Sequence, residues 1–266
     1  MRLCSIASGS SGNCVYVGSD TTHLLIDVGI SGKRTEAGLK ELGLKMNEID
    51  GIFITHEHAD HISGLGVLAR KYGIPIYATK GTIEAIRQSS SVGEIEESLF
   101  QTIKPDEKCI VKDLSLYPMH TSHDAADPVA YRINHGTQKI GIVTDLGCYT
   151  DYTVECLKDL DVLYLEANHD VHMLQVGPYP YYLKQRILGE RGHLSNETAG
   201  KLLSRLLHDK MQTIVLGHLS KENNLPELAY ESVRVEVTMS DTKYNGNDFP
   251  VYVAKRSEVS DIITVK

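Results

Sequence analysis

The residues best suited to chemistry lie in one short segment, HEHADH, at positions 56–61. Three histidines and two carboxylates within six residues are typical of a metal site, because imidazole nitrogens and carboxylate oxygens bind zinc, manganese or iron. His56 and His58 are two residues apart on extended chain and therefore point to the same side. Asp60 and His61 follow where the chain turns into a helix, so one loop could supply ligands to two metal ions. The alternative is an exposed surface loop of histidines and acids.

Further candidate residues stand where predicted strands end. Asp145 follows one such strand, and an unpaired carboxylate buried there would be costly, which favours a metal ligand over a residue that caps a turn. His120 and His123 follow a second strand, and either of them could end it as a ligand. His218 follows a third.

The surrounding sequence predicts the elements that position these residues. Short apolar runs between turn residues indicate strands near 2–7, 14–17, 23–27, 51–55, 75–78, 115–119, 139–144, 161–165, 211–216 and 251–254. Apolar residues at helical spacing indicate helices near 35–44, 62–73, 81–88 and 195–208 and from 226 onward. Because strands and helices alternate with no linker or change of composition, we expect one α/β domain over residues 1–266.

Composition limits the possible functions. The 266 residues are 41% hydrophobic and 23% charged, with a formal net charge of −8. That charge argues against binding nucleic acid by bulk attraction but leaves room for a local site. Five cysteines without a CxxC pair fit reduced thiols. No segment approaches the ~20 apolar residues of a membrane span or the apolar core of a signal peptide, so we expect a cytoplasmic protein that does not bind membranes.

The motif at 56–61 resembles the metal-binding signature of the metallo-β-lactamase-like hydrolases. The resemblance implies that Asp27 supports the metal-binding loop without binding metal. It also implies that His123 and His218 complete the histidine ligands and that Asp145 bridges two metal ions. The implied fold is a four-layer αββα sandwich with both metals at one edge of the two sheets.

The implied site holds two divalent metal ions, for which zinc, manganese and iron are all suitable. Metal one would be bound by His56, His58 and His123, metal two by Asp60, His61 and His218, with Asp145 bridging them. Two such ions ~3.5–4 Å apart can share a water and lower its pKa toward ~7, so that a metal-bridging hydroxide attacks a phosphodiester. Asp60 could orient this nucleophile or accept its proton.

Motifs along the rest of the chain are similar to those of one bacterial branch of the superfamily, the YycJ/WalJ proteins. They include SGSSGN at 8–13, NHD at 168–170, GHLSN at 192–196 and HLSKENN at 218–224. Proteins of this branch are regarded as cytosolic 5′-to-3′ exonucleases on double-stranded DNA and are linked to mismatch repair. The branch also resembles transfer-RNA 3′-processing endonucleases, in which a Gly-His-Ser/Thr segment supplies a proton-donating histidine. The matching residue is His193.

Residues that could contact a substrate lie in two segments. Segment 179–191 interleaves aromatic and basic residues, so that Lys184 and Arg186 could pair with phosphates while the tyrosines stack on bases. An amphipathic helix with solvated cations is the alternative. Asn168 and His169 belong to a motif of the branch and could meet substrate, brace the metals or form an ordinary hydrogen-bonded loop.

These observations favour a dinuclear metal-dependent phosphodiesterase, specifically an exonuclease with DNA as its substrate and with Asp60 and His193 as catalytic residues. The alternative is a small-molecule metallohydrolase that uses the same site on a cyclic or other phosphodiester, a thioester or a lactone, and the acidic net charge favours it mildly. A catalytically idle regulator is disfavoured because every metal-ligand position is filled. The sequence leaves the oligomeric state open.

Overall fold

A computed structural model describes the chain from residue 1 to residue 266 and divides it into two compact units. Unit 1 comprises residues 1–120, 125–138 and 255–266. Unit 2 comprises residues 121–124 and 139–254. The expectation of one domain over the whole chain stays a prediction.

The strands and helices form two mixed β-sheets flanked by helices. The strands are β1 (Arg2–Ala7), β2 (Cys14–Gly18), β3 (His23–Ile26), β4 (Gly51–Phe53), β5 (Ile76–Thr79), β6 (Phe100–Ile103), β7 (Cys109–Val111), β8 (Leu114–His120), β9 (Val129–His135), β10 (Gln138–Val143), β11 (Val162–Glu166), β12 (Thr213–Gly217), β13 (Val251–Val253) and β14 (Ile263–Thr264). The helices are α1 (Gly32–Glu41), α2 (Ala59–Ile62), α3 (Leu65–Tyr72), α4 (Lys80–Gln88), α5 (Asp151–Cys156), α6 (Val171–Val176), α7 (Tyr181–Leu188), α8 (Asn196–Leu206) and α9 (Pro226–Met239).

The first sheet lies in unit 1 and has the strand order β14-β1-β2-β3-β4-β5-β6. Its first part is antiparallel, whereas β3 to β6 run parallel. Every residue of β2 is buried, which explains its continuous apolar run in place of an alternating pattern. Because Ile26 pairs with Phe53, the carboxyl ends of β3 and β4 lie side by side. Asp27 and Thr55, which follow these strands, thereby become neighbours.

An antiparallel meander of β7, β8 and β9 also lies in unit 1 and packs against the first sheet. Phe53 of β4 meets Tyr131 of β9 edge to face, with ring centroids 5.7 Å apart. The Tyr131 hydroxyl donates a hydrogen bond of 2.6 Å to the carbonyl of Ile54, and the Val129 amide donates one of 3.0 Å to the carbonyl of Thr55. The buried Tyr131 hydroxyl therefore has a hydrogen-bond partner in the segment that leads to the histidine motif.

Unit 2 is built on the parallel strands β10 to β13, and α9 contacts both α8 and β13. Strand β11 lies between β10 and β12, so the carboxyl ends of these three strands share one edge. Asp145, Glu166 and His218 stand at those ends. The Ser195 hydroxyl caps α8 by accepting a hydrogen bond from the Thr198 amide.

Most predicted elements are confirmed, with a few differences. The sequence reasoning missed β6, β7, β9 and β14. The helix predicted near 62–73 is divided into α2 and α3, and the helix predicted near 35–44 begins at Gly32 because the Ser31 side chain caps it. No helix of the chain combines the length and the apolar character that spanning a bilayer requires.

Candidate metal centre

Residues 55–61 of unit 1, which we call the histidine loop, follow β4 and extend into α2, which begins at Ala59. The ring of His56 lies 4.6 Å from that of His58 and 4.1 Å from that of His61, measured between centroids. The carboxylate of Asp60 lies 3.5 Å from Nε2 of His61. His56 and His61 are buried, whereas His58 and Asp60 are half-buried. The structure therefore brings the four predicted ligands of this segment together.

Asp27, which directly follows β3, orients the histidine loop. Its buried carboxylate accepts hydrogen bonds of 2.8 Å from the amide and the hydroxyl of Thr55 and lies 2.7 Å from Nδ1 of His61. Because a carboxylate only accepts, His61 carries its proton on Nδ1 and presents Nε2 as the ligand atom. Thr55 has given its only hydroxyl proton to Asp27, so at 3.0 Å it accepts the Nδ1 proton of His56, which presents Nε2 in the same way.

Asn13 is a neighbour of the histidine loop that sequence reasoning did not assign to the site. Its side-chain Nδ2 lies 3.2 Å from Nε2 of His61, and its backbone amide donates a hydrogen bond of 2.8 Å to the carbonyl of Asp60. Gly29 makes this approach possible, because a Cβ there would stand 1.6 Å from the Asp60 carbonyl oxygen. Residues 8–13 are rich in turn-forming residues, but the sequence does not indicate which loop they contact.

A second group of ligand side chains, which we call the strand-end cluster, lies in unit 2. It consists of Asp145, Glu166, His193 and His218. Their ligand atoms all lie within 4.8 Å of one another, and only His193 is partly exposed. Nδ1 of His218 is 2.9 Å from Asp145 Oδ2. Two imidazoles and two carboxylates in a buried setting form a donor set that suits a divalent metal ion.

Glu166 is the member of this cluster that sequence reasoning missed. Its fully buried carboxylate accepts hydrogen bonds from the amides of Leu146 (2.9 Å) and Leu194 (3.2 Å) and lies 2.8 Å from Nδ1 of His193. Burial alone would lower the pKa of His193, but the charge and hydrogen bond of Glu166, aided by Asp145, raise it above its ordinary value. The signal was available, because Glu166 ends a buried strand as Asp145 does.

His123 belongs to unit 2 and stands next to the strand-end cluster. Its Nδ1 donates a hydrogen bond of 3.0 Å to the carbonyl of Gly192, and its Nε2 lies 3.6 Å from Oδ1 of Asp145. His120, the other candidate, ends β8 with more than half of its side chain exposed and lies 3.9 Å from Asp127. These positions favour His123 as the ligand, as the resemblance implies.

The backbone is unusual at three site residues. Asp27, Asp145 and His218 have φ angles of 59°, 57° and 55°, and they are three of six non-glycine residues with positive φ. A non-glycine residue in this left-handed region costs about 1 kcal/mol or more and persists where its surroundings fix it. Asp27 and His218 directly follow a strand, and Asp145 follows β10 after one intervening residue, so all three stand in turns at strand ends.

Three buried asparagines, which we call the asparagine clasp, join the segments that carry the strand-end cluster. Asn224 and Asn196 exchange a reciprocal pair of side-chain hydrogen bonds of 2.8 and 3.0 Å. Asn224 also donates to the carbonyls of Ala167 and Asn168, and Asn168 donates a hydrogen bond of 2.9 Å to the carbonyl of His218. The clasp therefore fixes the segments around Glu166, His193 and His218 relative to one another.

The four residues predicted to contact substrate have different environments. Asn168 and His169 are buried, both ring nitrogens of His169 have no hydrogen-bond partner, and burial lowers its pKa to about 4. Lys184 donates a hydrogen bond of 2.8 Å to the carbonyl of Gln175, and Arg186 forms an ion pair with Asp124. Substrate contact by these residues stays a prediction.

Comparison with known proteins bears on the fold and the family. A model of the β-lactamase superfamily domain matches residues 22–218. The chain is 42% identical over 236 residues to the exodeoxyribonuclease YycJ of Bacillus anthracis, covering 86% of each chain. It is 40% identical over 247 residues to the exodeoxyribonuclease WalJ of Streptococcus pneumoniae, covering 93% of this chain and 91% of that one.

Solved structures confirm the predicted fold class. The metallo-β-lactamase fold protein YhfI from Bacillus subtilis matches with a TM-score of 0.72 and 18% identity, covering 97% of this chain and 98% of that one. The short form of human tRNase Z matches with a TM-score of 0.67 and 17% identity over the whole of both chains. At these identities the likeness concerns the fold alone.

Proposed function

The chain belongs to the β-lactamase superfamily of hydrolases, and from this premise we propose that it is a dinuclear metal-dependent phosphodiesterase, specifically a 5′-to-3′ exonuclease on double-stranded DNA. The observation that carries the proposal is the strand-end cluster, in which the proposed ligands Asp145 and His218 converge with His193 and Glu166 within 4.8 Å, in a chain 40–42% identical to exodeoxyribonucleases. The proposed site of action is the cytoplasm.

The proposed metal ligands come from the histidine loop, from His123 and from two members of the strand-end cluster. They are His56, His58 and His123 for metal one, Asp60, His61 and His218 for metal two, and Asp145 for both. The support within unit 1 is that Asp27 and Thr55 orient His61 and His56 so that each presents Nε2 as a ligand atom. When bound, two zinc, manganese or iron ions would supply an activated water at neutral pH and stabilise negative charge on the phosphate.

The proposed roles of the chain's own side chains follow from their hydrogen bonds. Asp60 is half-buried beside His61 and orients the attacking water or accepts its proton. Glu166 holds Nδ1–H of His193 and, with Asp145, raises the pKa of the ring, so that the imidazolium form carries a second proton on Nε2, which it donates to the oxygen that leaves phosphorus. An alkoxide is a poor leaving group near neutral pH, and an acid at this position is worth roughly 100-fold or more in rate.

Glu166 acts in this proposal as a positioning residue and not as a metal ligand. Both of its oxygens already accept hydrogen bonds, one from His193 and the other from the amides of Leu146 and Leu194. Lys184 and Arg186 would supply the local positive charge that DNA requires in a chain of net charge −8.

The experiment that tests the proposal is digestion of 5′-phosphorylated and unphosphorylated linear duplexes in the presence of Mn²⁺ or Zn²⁺, with the Asp145→Ala protein as control. We expect mononucleotide release from the 5′ end by the wild-type protein only. Intact DNA together with hydrolysis of bis(p-nitrophenyl) phosphate would contradict the exonuclease and support the small-molecule metallohydrolase. Digestion by the Asp145→Ala protein would contradict the metal site.

A further inference from the structure

Helix α7 in unit 2 carries an exposed aromatic surface, and the neighbouring helix α6 is also largely exposed. Helix α7 has no buried residue, and α6 buries only Leu174. Tyr181 and Tyr182 at the start of α7 are 77% and 75% exposed, and no other aromatic residue of the chain is as exposed. Two adjacent tyrosines in this position add little to the core, so their exposure calls for a binding partner.

An ion pair and hydrogen bonds connect the carboxyl end of α7 and the residues that follow it to the segments of the proposed metal centre. Arg186 forms an ion pair with Asp124, and the guanidinium of Arg191 donates a hydrogen bond of 3.0 Å to the carbonyl of His123. The amide of His193 donates a hydrogen bond of 3.0 Å to the carbonyl of Ile187. All of these residues belong to unit 2. The two tyrosines begin α7, and His193, the proposed proton donor, follows the end of the same helix.

The charge of this segment identifies the class of partner. Residues 181–191 contain three cations, Lys184, Arg186 and Arg191, against the single carboxylate of Glu190, in a chain of net charge −8; Arg186 is paired with Asp124 outside the segment. Exposed aromatic rings beside cations are the features with which proteins bind single-stranded nucleic acid, since rings stack on bases and cations meet phosphates. In a continuous duplex each base face is covered by its neighbour, so a ring can stack only where bases are unpaired.

We propose that Tyr181 and Tyr182 form a stacking platform for unpaired bases at the end of the nucleic-acid strand that enters the metal centre. This inference rests on the proposed phosphodiesterase function and narrows its substrate to strand ends that are frayed or single-stranded. Lys184 follows the tyrosines on the same helix and meets the phosphates of that strand, whereas Arg186 is paired with Asp124.

The experiment compares the Tyr181→Ala/Tyr182→Ala protein with the Tyr181→Phe/Tyr182→Phe protein, which keeps both rings. Tyr252→Ala is the matched control, because Tyr252 is 55% exposed on β13, outside the helix. Substrates are a duplex with a short single-stranded overhang, the same duplex with blunt ends, and bis(p-nitrophenyl) phosphate. Melting temperatures of all variants establish that they are folded.

We expect the double alanine variant to raise KM for the overhang substrate roughly 10- to 100-fold with little change in kcat, because alanine substitution removes base stacking. Hydrolysis of bis(p-nitrophenyl) phosphate should stay unchanged, and the phenylalanine and Tyr252→Ala proteins should behave as wild type. An unchanged KM in the alanine variant would overturn the platform, and so would an equal loss on bis(p-nitrophenyl) phosphate. A wild-type protein that hydrolyses bis(p-nitrophenyl) phosphate but no DNA would instead overturn the proposed function.

Discussion

The histidine loop and the strand-end cluster supply similar ligands by different structural means. The loop places four candidate ligands within six consecutive residues, 56–61, and one carboxylate, Asp27, orients His61 directly and His56 through Thr55. The cluster collects its members from residues 145 to 218, and buried hydrogen bonds of Glu166 and of the asparagine clasp hold them. The loop is thus a local structure, and the cluster is a product of long-range packing.

This difference predicts how strongly substitutions should affect each region. A local turn keeps its shape when one support is lost, because the same few residues define it. The cluster depends on the parallel register of β10, β11 and β12 and on buried polar groups, and a buried group left without its partner costs about 1–3 kcal/mol. We therefore expect substitutions in the cluster to have larger effects than substitutions that support the loop.

The largest effect is expected from Asp145→Asn. Asparagine tolerates the positive φ of this position, so the fold is kept while the bridging charge is removed. A bound metal ion stabilises the charge of the transition state by several kcal/mol, so its loss should lower kcat/KM about 1,000-fold. The metal content measured by mass spectrometry should fall as well.

The matched control is Asp159→Asn, since Asp159 has a φ of 56° in the same unit but is exposed. This variant should keep full activity and metal content. An active, metal-loaded Asp145→Asn protein would contradict the role of Asp145 as a metal ligand.

The next largest effect, on stability, is expected from Asn224→Ala. The substitution removes hydrogen bonds to Ala167, Asn168 and Asn196 and leaves buried polar groups unsatisfied. Unfolding by urea should report a loss of about 3 kcal/mol. The neighbouring Asn223→Ala, whose side chain makes only a 3.4 Å contact with Ser220, should lose about 1 kcal/mol. Equal losses would contradict the clasp.

The two regions also differ in how well the sequence predicts them. The histidine loop is contiguous, so ligand types and spacing were visible at once, and Asp145 was found because a charge at the end of a buried strand is costly. The same criterion applies to Glu166, yet it was not applied. Asn13 and the asparagine clasp could not be found, because their partners are 47–48 and 28–57 residues away and only the folded chain brings them together.

Short edge elements were missed for a related reason. Strands β6, β7 and β14 have two to four residues each, too few to show a periodic pattern, and their extended conformation comes from pairing with a neighbouring strand. Longer elements with a clear cap, such as α4 and α8, were predicted closely because their apolar spacing and their capping residues are local.

A smaller effect is expected from His193→Ala and from Glu166→Gln, which both remove the oriented proton donor. Either should lower kcat on DNA about 100-fold with metal content unchanged, because the contribution of a general acid is of this order. The double variant should lose no more than either single variant, since both act through one proton. With p-nitrophenolate as leaving group, which needs no acid, the loss should be much smaller. A loss of metal in the His193→Ala protein would instead make His193 a ligand.

The smallest effect is expected from Asp27→Asn, which tests whether the loop is the more tolerant region. Asparagine can still accept the amide hydrogen of Thr55 and tolerates the φ of 59°, so the turn is kept. The amide cannot accept the Nδ1 proton of His61, so this ring loses the tautomer that frees Nε2. Metal affinity measured by titration with a competing chelator should fall about 10-fold. Asp50→Asn, which supports the amide of His23 in the same unit, should leave the affinity unchanged. A loss as large as that of Asp145→Asn would mean that the loop depends on its single support as strongly as the cluster depends on its many.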